Sequence, residues 1–379
     1  MNLTRLIKEK ALELGYCKAG ITTADDFDQY LEIVHSRGEM YDFHRLNPMG
    51  PLAGARPRQI MPAARSILVL AFDYAQHSFP ASLLTLLGRV YQARCYTPLP
   101  DSLNGVRLQA MIDFLRGAGL NVNDKIMIPA RWAAAKAGIA NFGRNTFAYV
   151  DGVGSFVILY TLALDQELEY DQPTLENKCP ENCRACIKAC PTNALYEPFK
   201  MNPYKCLAFN AWKTQAGTAG VRSAFIPHEI REKMELHVHG CDICQEACPR
   251  NKGKMKGCFP ADQFLENIAP DLTLPNLLNM PDGFMERRVR PLMHNYIKEP
   301  RYFQRNAAVA LGNLGDPSAV GDLSRALNSG DELVRGHAAW ALGRLGETTA
   351  KSALEKRLEV EQSEEVKVEI AAALEKAAN

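Results

Sequence analysis

Along Asn2–Leu14 the apolar residues Leu3, Leu6, Ile7, Ala11 and Leu14 recur at helical spacing, and Gly15 follows as a stop. Arg107–Arg116 shows a similar amphipathic pattern ending at Gly117 and Gly119, and Arg131–Ala137 reads as a helix ended by Gly138. Between them lie continuous apolar runs, Ser66–Phe72 and Ser155–Leu164, which read as buried strands. Cys17–Ile21 and Ile126–Ile128 are shorter strand candidates. Helices alternating with apolar strands predict a layered α/β or α+β domain over residues 1–165, with the strand order left open.

The pattern changes twice. Over residues 166–260 long hydrophobic periods vanish and cysteine, proline and short polar stretches take over, so this stretch is expected to need metal clusters for stability. In residues 261–379 a repeat emerges: Asn306–Gly315 reads NAAVALGNLG, His337–Gly346 reads HAAWALGRLG and Glu369–Ala378 reads EIAAALEKAA. Leu311, Leu342 and Leu374 stand in register, a period of 31–32 residues. Such Ala-rich segments, the first followed by Asp316-Pro317, resemble HEAT-like helical repeats. A plain amphipathic bundle is the alternative.

With 379 residues, 47% of them hydrophobic and 23% charged, the chain suits two or three packed domains. A net charge of +1 excludes a globally basic coat or an acidic tail but leaves room for a local patch. No apolar stretch approaches the roughly 20 residues of a membrane helix, and the N-terminus shows neither a signal core nor twin arginines. A cytoplasmic location without membrane contact is expected. Eleven cysteines in a reducing compartment point to metal ligation or redox chemistry rather than to disulfides.

Eight of those cysteines are clustered. The first run is Cys179-x3-Cys183-x2-Cys186-x3-Cys190-Pro191; the second is Cys206 and then Cys241-x2-Cys244-x3-Cys248-Pro249. In the bacterial ferredoxin pattern three closely spaced cysteines hold one cubane and the fourth, before proline, serves the other. That crossing puts Cys179, Cys183, Cys186 and Cys248 on one cluster and Cys190, Cys206, Cys241 and Cys244 on the second. Two structural zinc sites are the alternative for four-thiolate sets. Cys17, Cys95 and Cys258 lie outside both runs and read as buried free thiols.

Together, the double-cluster segment, the α/β N-terminal domain and the HEAT-like repeats resemble the epoxyqueuosine reductase family, which is related to reductive dehalogenases. The resemblance implies an oxidoreductase that completes queuosine in tRNA using two [4Fe–4S] clusters and a corrinoid (cobalamin). The family's motif maps onto Asp124, Arg131, Ala137-Gly138 and Gly143-Arg144-Asn145. It implies Asp124 as proton donor, with Arg131, Arg144 and Asn145 on the cofactor. Ala130 stands where the family has an acidic residue, and the family's Asp-Tyr-His segment is absent near Arg94-Cys95-Tyr96-Thr97. Asp42-Phe43-His44 begins like a cobalt-ligating motif, but Asn47 replaces its glycine, so His44 reads as an ordinary polar histidine.

An RNA substrate draws support from Met285–Arg305. Arg287, Arg288, Arg290, Lys298, Arg301 and Arg305 oppose only Glu286 and Glu299, with Tyr296, Tyr302 and Phe303 interleaved. Basic residues neutralise phosphates and aromatics stack on splayed bases; a solvated helical face is the alternative. Arg335, His337 and Arg344 are expected to extend that surface. The partners expected are a tRNA anticodon stem-loop and a low-potential donor of ferredoxin or flavodoxin type, acting on a monomer. Two other readings remain: a paralogous small-molecule reductase, and a non-catalytic electron carrier.

Overall fold

The computed structural model describes residues 2–47, 50–96, 98–174, 176–213, 223–293 and 297–378. Thr97 and Tyr296, named above, lie outside them. The N-terminal part is built on an antiparallel sheet of β1 (Lys18–Thr23), β2 (Ser66–Asp73), β3 (Val122–Asn123) and β6 (Val157–Leu164), in the order β1-β2-β6-β3. Two hairpins follow the chain elsewhere: β4 (Asn141–Phe142) with β5 (Ala148–Tyr149), and β7 (Leu195–Glu197) with β8 (Lys200–Met201).

Strand β2 is apolar throughout because both its faces are covered. Ile67, Val69 and Ala71 pack toward Ala133, Ala134 and Ala137 at the helix Ala130–Lys136. Leu68 and Leu70 pack on the other face, against Ile7 and Ala11 of helix Leu3–Glu13 and Met111 and Leu115 of helix Leu103–Gly117. A central strand with helices on both sides alternates between two apolar environments, so its sequence shows no polar alternation.

Ile126–Ile128 is not a strand. Ile126 and Ile128 are buried while Met127 is exposed, which mimics a strand period. The Ile128 N–H instead donates to Ile126 O at 2.8 Å, closing a tight turn before Pro129. The sheet edge is formed by Val122–Asn123, paired with Leu164 and Ala163.

The C-terminal repeats are helix pairs. Helix Glu332–Leu345 packs between Pro300–Leu314 and Glu364–Ala378, while Val320–Ala326 and Thr348–Leu358 form the return helices. The repeated Gly-x-Leu-Gly now has a reason. A Cβ on Gly312 would lie 2.9 Å from the Ala341 Cα, and one on Gly343 would lie 2.6 Å from the Ala373 Cα. These glycines let neighbouring helices touch. Gly315 and Gly346, at φ +71° and +68°, end their helices in the left-handed conformation.

The segment in which long hydrophobic periods vanish still contributes to a core. Leu207, Ala211, Ile226, Ile230, Met234 and Val238 are buried in one apolar cluster with Leu83, Leu87 and Tyr91 and with the repeat helices. Single apolar residues spaced irregularly along a loop-rich stretch show no period, yet they dock onto a preformed helical face.

Candidate functional site

The cysteine loops are shaped by their prolines. Cys186 sits in helix Ala185–Ala189, and Cys190, just before Pro191, leaves that helix with extended backbone (φ −69°, ψ 112°). Cys248, before Pro249, follows helix Ile243–Glu246 and is likewise extended (φ −77°, ψ 124°). Proline disfavours helical geometry in the preceding residue, so each Cys-Pro turns its sulfur away from the loop that carries its neighbours.

Cys179, Cys183, Cys186 and Cys248 line one cavity, together with Arg144, Asn145, Tyr149 and Arg250. Cys206 lies near Cys190, Cys241 near both, and Cys244 near Cys241 and Cys206 and also near Cys186 of the first group. Leu195 and Met201 of the β7–β8 hairpin pack against Cys186, Cys190 and Cys244 and so cover the junction of the two groups. Cys206 precedes helix Leu207–Trp212, at its N-terminal end. Burial pushes the thiols of Cys186, Cys206, Cys241 and Cys244 up.

Arg144 and Asn145, expected on the corrinoid, make hydrogen bonds to the cysteine loops. The Arg144 N–H donates to Cys179 Sγ at 3.4 Å and its Nη1 to Cys183 O at 2.7 Å. Asn145 is buried and donates through Nδ2 to Tyr149 OH and Cys244 O. Both side chains come from the turn between β4 and β5, which brings them over the first cysteine group.

Arg131 has a different setting. It is exposed, and the protein packed around it lowers its pKa by desolvation. Tyr30, Tyr41, Tyr96 and Cys244 lie within its electrostatic reach. Its Nη1 donates to Thr146 O at 3.1 Å, and its guanidinium stacks 4.9 Å from the Phe147 ring centre. His44, read as an ordinary histidine, is held between Tyr41 and Phe43; burial and then the Arg131 charge lower its pKa to about 4. Phe43 meets Phe209 edge-on at 4.8 Å, which ties this aromatic group to the helix after Cys206. The tyrosines and Phe43 carried no spacing signal, because they converge from separate loops.

Asp124 follows β3 and pairs with Lys125 Nζ at 2.7 Å, with its side chain 20% exposed. Cys17 and Cys95 are partly and fully buried, but Cys258 is exposed, contrary to its expected burial.

The basic stretch divides. Arg287, Arg290 and Lys298 are exposed. Arg288 pairs with Asp271 at 2.5 Å, and Arg301 pairs with Glu299 and Asp331. Arg305 is a correction. It is fully buried and donates to Asn210 O, Ala211 O, Lys213 O and Ala224 O. Tyr302 and Phe303 are buried in the core and not free to stack on bases. The proposed extension fails too: Arg335 pairs with Glu361, His337 Nε2 accepts from the Ile226 N–H, and Arg344 pairs with Glu232. A helix facing a neighbouring loop uses arginine and histidine to hold carbonyls, carboxylates and amides, and composition does not distinguish that use from RNA contact.

Comparison with known proteins bears on the site as a whole. Residues 178–251 match the 4Fe-4S double cluster binding domain, and residues 289–375 match HEAT repeats. The epoxyqueuosine reductase of Bacillus subtilis (strain 168) is 31% identical over 390 residues, covering 99% of this chain and 97% of that protein. That of Escherichia coli (strain K12) is 26% identical over 359 residues, covering 90% and 89%. A crystal structure of epoxyqueuosine reductase with an epoxyqueuosine-modified tRNA-Tyr stem loop superposes with a TM-score of 0.83 at 28% identity, over 100% of this chain and 99% of that one. A Bacillus subtilis structure with its catalytic aspartate loop swung out of the active site gives 0.83 at 27% identity, over 99% and 98%.

Proposed function

The chain belongs to the epoxyqueuosine reductase family, and from that premise we infer that it is an oxidoreductase reducing epoxyqueuosine in tRNA to queuosine, with iron–sulfur clusters as its electron wire and a corrinoid as the partner of the substrate. The observation that carries this reading is a juxtaposition. Cys244, of the second cysteine group, lies near Arg131, and Cys206 lies near Tyr41, which itself neighbours Arg131. A second cluster held there would stand beside the Arg131 and Tyr41 side chains to which the cofactor is assigned.

Replacing an epoxide by an alkene removes one oxygen as water and consumes two electrons and two protons. Each [4Fe–4S] cluster passes one electron at a time. Cys179, Cys183, Cys186 and Cys248 are assigned to one cluster, and Cys190, Cys206, Cys241 and Cys244 to the other. The donor set suits this: eight thiols in two groups, and an amide N–H directed at Cys179 Sγ. A corrinoid, when bound, would supply a centre able to gather two electrons. Arg131, with Tyr30, Tyr41 and Tyr96 around it, suits a large flat ring bearing polar arms. Arg131 is assigned to hold such an arm by charge-assisted hydrogen bonds.

Asp124 is assigned to give the proton to the departing oxygen. Here its carboxylate faces Lys125. The swung-out aspartate loop of the Bacillus subtilis relative supports a loop that brings Asp124 in with substrate. Arg287, Arg290 and Lys298 are the exposed cations assigned to tRNA phosphates. We place the reaction in the cytoplasm, with a low-potential ferredoxin or flavodoxin as donor and the protein acting as a monomer. Among the described residues no helix is long and apolar enough to cross a membrane.

The test is direct. Protein purified without oxygen, loaded with clusters and cobalamin, is given an anticodon stem-loop carrying epoxyqueuosine and a strong reductant. The nucleoside is expected to lose one oxygen by mass spectrometry. Full cluster and corrinoid loading without that product would reject this substrate.

A further inference from the structure

Arg250 differs from the other cations around the cysteines. It lines the same cavity as Cys179, Cys183, Cys186 and Cys248. Its guanidinium lies 4.2 Å from the ring centre of Tyr149, which lines that cavity too. Its Nη1 is buried and has no hydrogen-bond partner among the described residues. A buried charged N–H without an acceptor is costly, so such a group in a built site points to an absent acceptor. Arg144 is not in that position, because its Nη1 is already used on Cys183 O.

The second cysteine group has a carboxylate next to it instead. Asp242, between Cys241 and Cys244 in the chain, is buried. It is paired with Arg89 at 3.2 Å.

We propose that Arg250 Nη1 donates to a sulfur of the cluster held by Cys179, Cys183, Cys186 and Cys248 and sets that cluster's potential above that of its partner. Reduction adds one negative charge to a cluster. A cationic N–H donor at its sulfur favours the reduced form, and a carboxylate near the other disfavours it. Arg250 is therefore a positioning and tuning residue for electron transfer, not a catalytic one. The proposal rests on the double-cluster reading above.

The experiment is a redox titration of the reconstituted full chain followed by electron paramagnetic resonance, for wild type, R250Q and R250K. Two one-electron couples are expected in the wild type. In R250Q the higher couple moves negative by at least about tenfold in its equilibrium, about 59 mV for one electron, and the lower couple stays. R250K, which keeps the charge, moves by less than half as much. Unmoved couples in R250Q with full iron overturn the proposal, and so do two couples moving together. Loss of iron from either variant overturns it as well, because Arg250 would then be holding the loop. Iron and sulfide content separates the premise from the proposal: a wild type far below about eight of each removes the double-cluster reading itself.

Discussion

Arg305 offers a sharp test of how a charge run is interpreted. Arg305→Met keeps the length of the side chain and removes every donor. In the folded protein the guanidinium bonds Asn210 O, Ala211 O, Lys213 O and Ala224 O at 2.6–3.2 Å. Ala211 O retains a bond from Asn306 Nδ2 at 2.8 Å, so the substitution strands three backbone carbonyls and the Asn306 side-chain oxygen, which accepts from Arg305 Nε. Each buried unpaired carbonyl costs about 1–3 kcal/mol. Part of that returns because a desolvated charge is replaced by an apolar chain; burial already lowers the Arg305 pKa to about 9. A net loss of about 3–5 kcal/mol is expected. The exposed Arg290→Ala is expected to stay within about 0.5 kcal/mol. Urea unfolding of the holoprotein, read by tryptophan fluorescence, reports on this region because Trp212 and Trp340 flank it. With a slope near the upper end of about 1–3 kcal/mol per molar, the midpoint should fall by about 1–2 M. An unchanged midpoint together with weakened tRNA binding would refute the reasoning and restore Arg305 as an RNA contact.

Four further outcomes are expected. Cys206→Ala should remove about half of the iron, since one of two cubanes loses a ligand; full iron content would break the assignment of that cysteine. Asp124→Asn should slow turnover by roughly 10²-fold or more while cobalamin binding, followed by absorbance, is unchanged. Replacing Arg287, Arg290 and Lys298 together by alanine should weaken tRNA binding and flatten its log–log salt dependence by about 0.7–0.9 for each phosphate no longer neutralised; filter binding across salt measures both. Stability should fall in acid. His239 is lowered from 6.5 to about 3 by burial and then by the Arg305 charge, and burial also lowers His337. The unfolded chain then binds more protons below pH 6.5, so each histidine costs about 1.4 kcal/mol per pH unit from 6.5 down toward its folded value. A urea midpoint unchanged between pH 7 and pH 5 would contradict this.

Local pattern determined a good deal of this protein without any structure. The helix at Leu3–Glu13, the strands Ser66–Asp73 and Val157–Leu164 and the repeat helices were legible because each buries a face with a fixed period. The cysteine runs were legible because closely spaced cysteines on one loop can hold several corners of one cluster, and the Cys-Pro endings mark the residue that crosses to the other. The tertiary structure decided what periodicity does not encode. Ile126–Ile128 alternates like a strand, but a turn at Ile128 and the proline after it prevent pairing. Arg144 and Asn145 belong to the cysteine cavity because a hairpin folds them over it, and Arg250 joins them from about 100 residues away. Arg305, Tyr302 and Phe303 look like an RNA surface in sequence, yet one face of their helix is pressed against Asn210–Lys213 and Ala224. Charge and aromaticity are properties of a residue, whereas exposure is a property of what packs against it, and that partner lies far away in the chain.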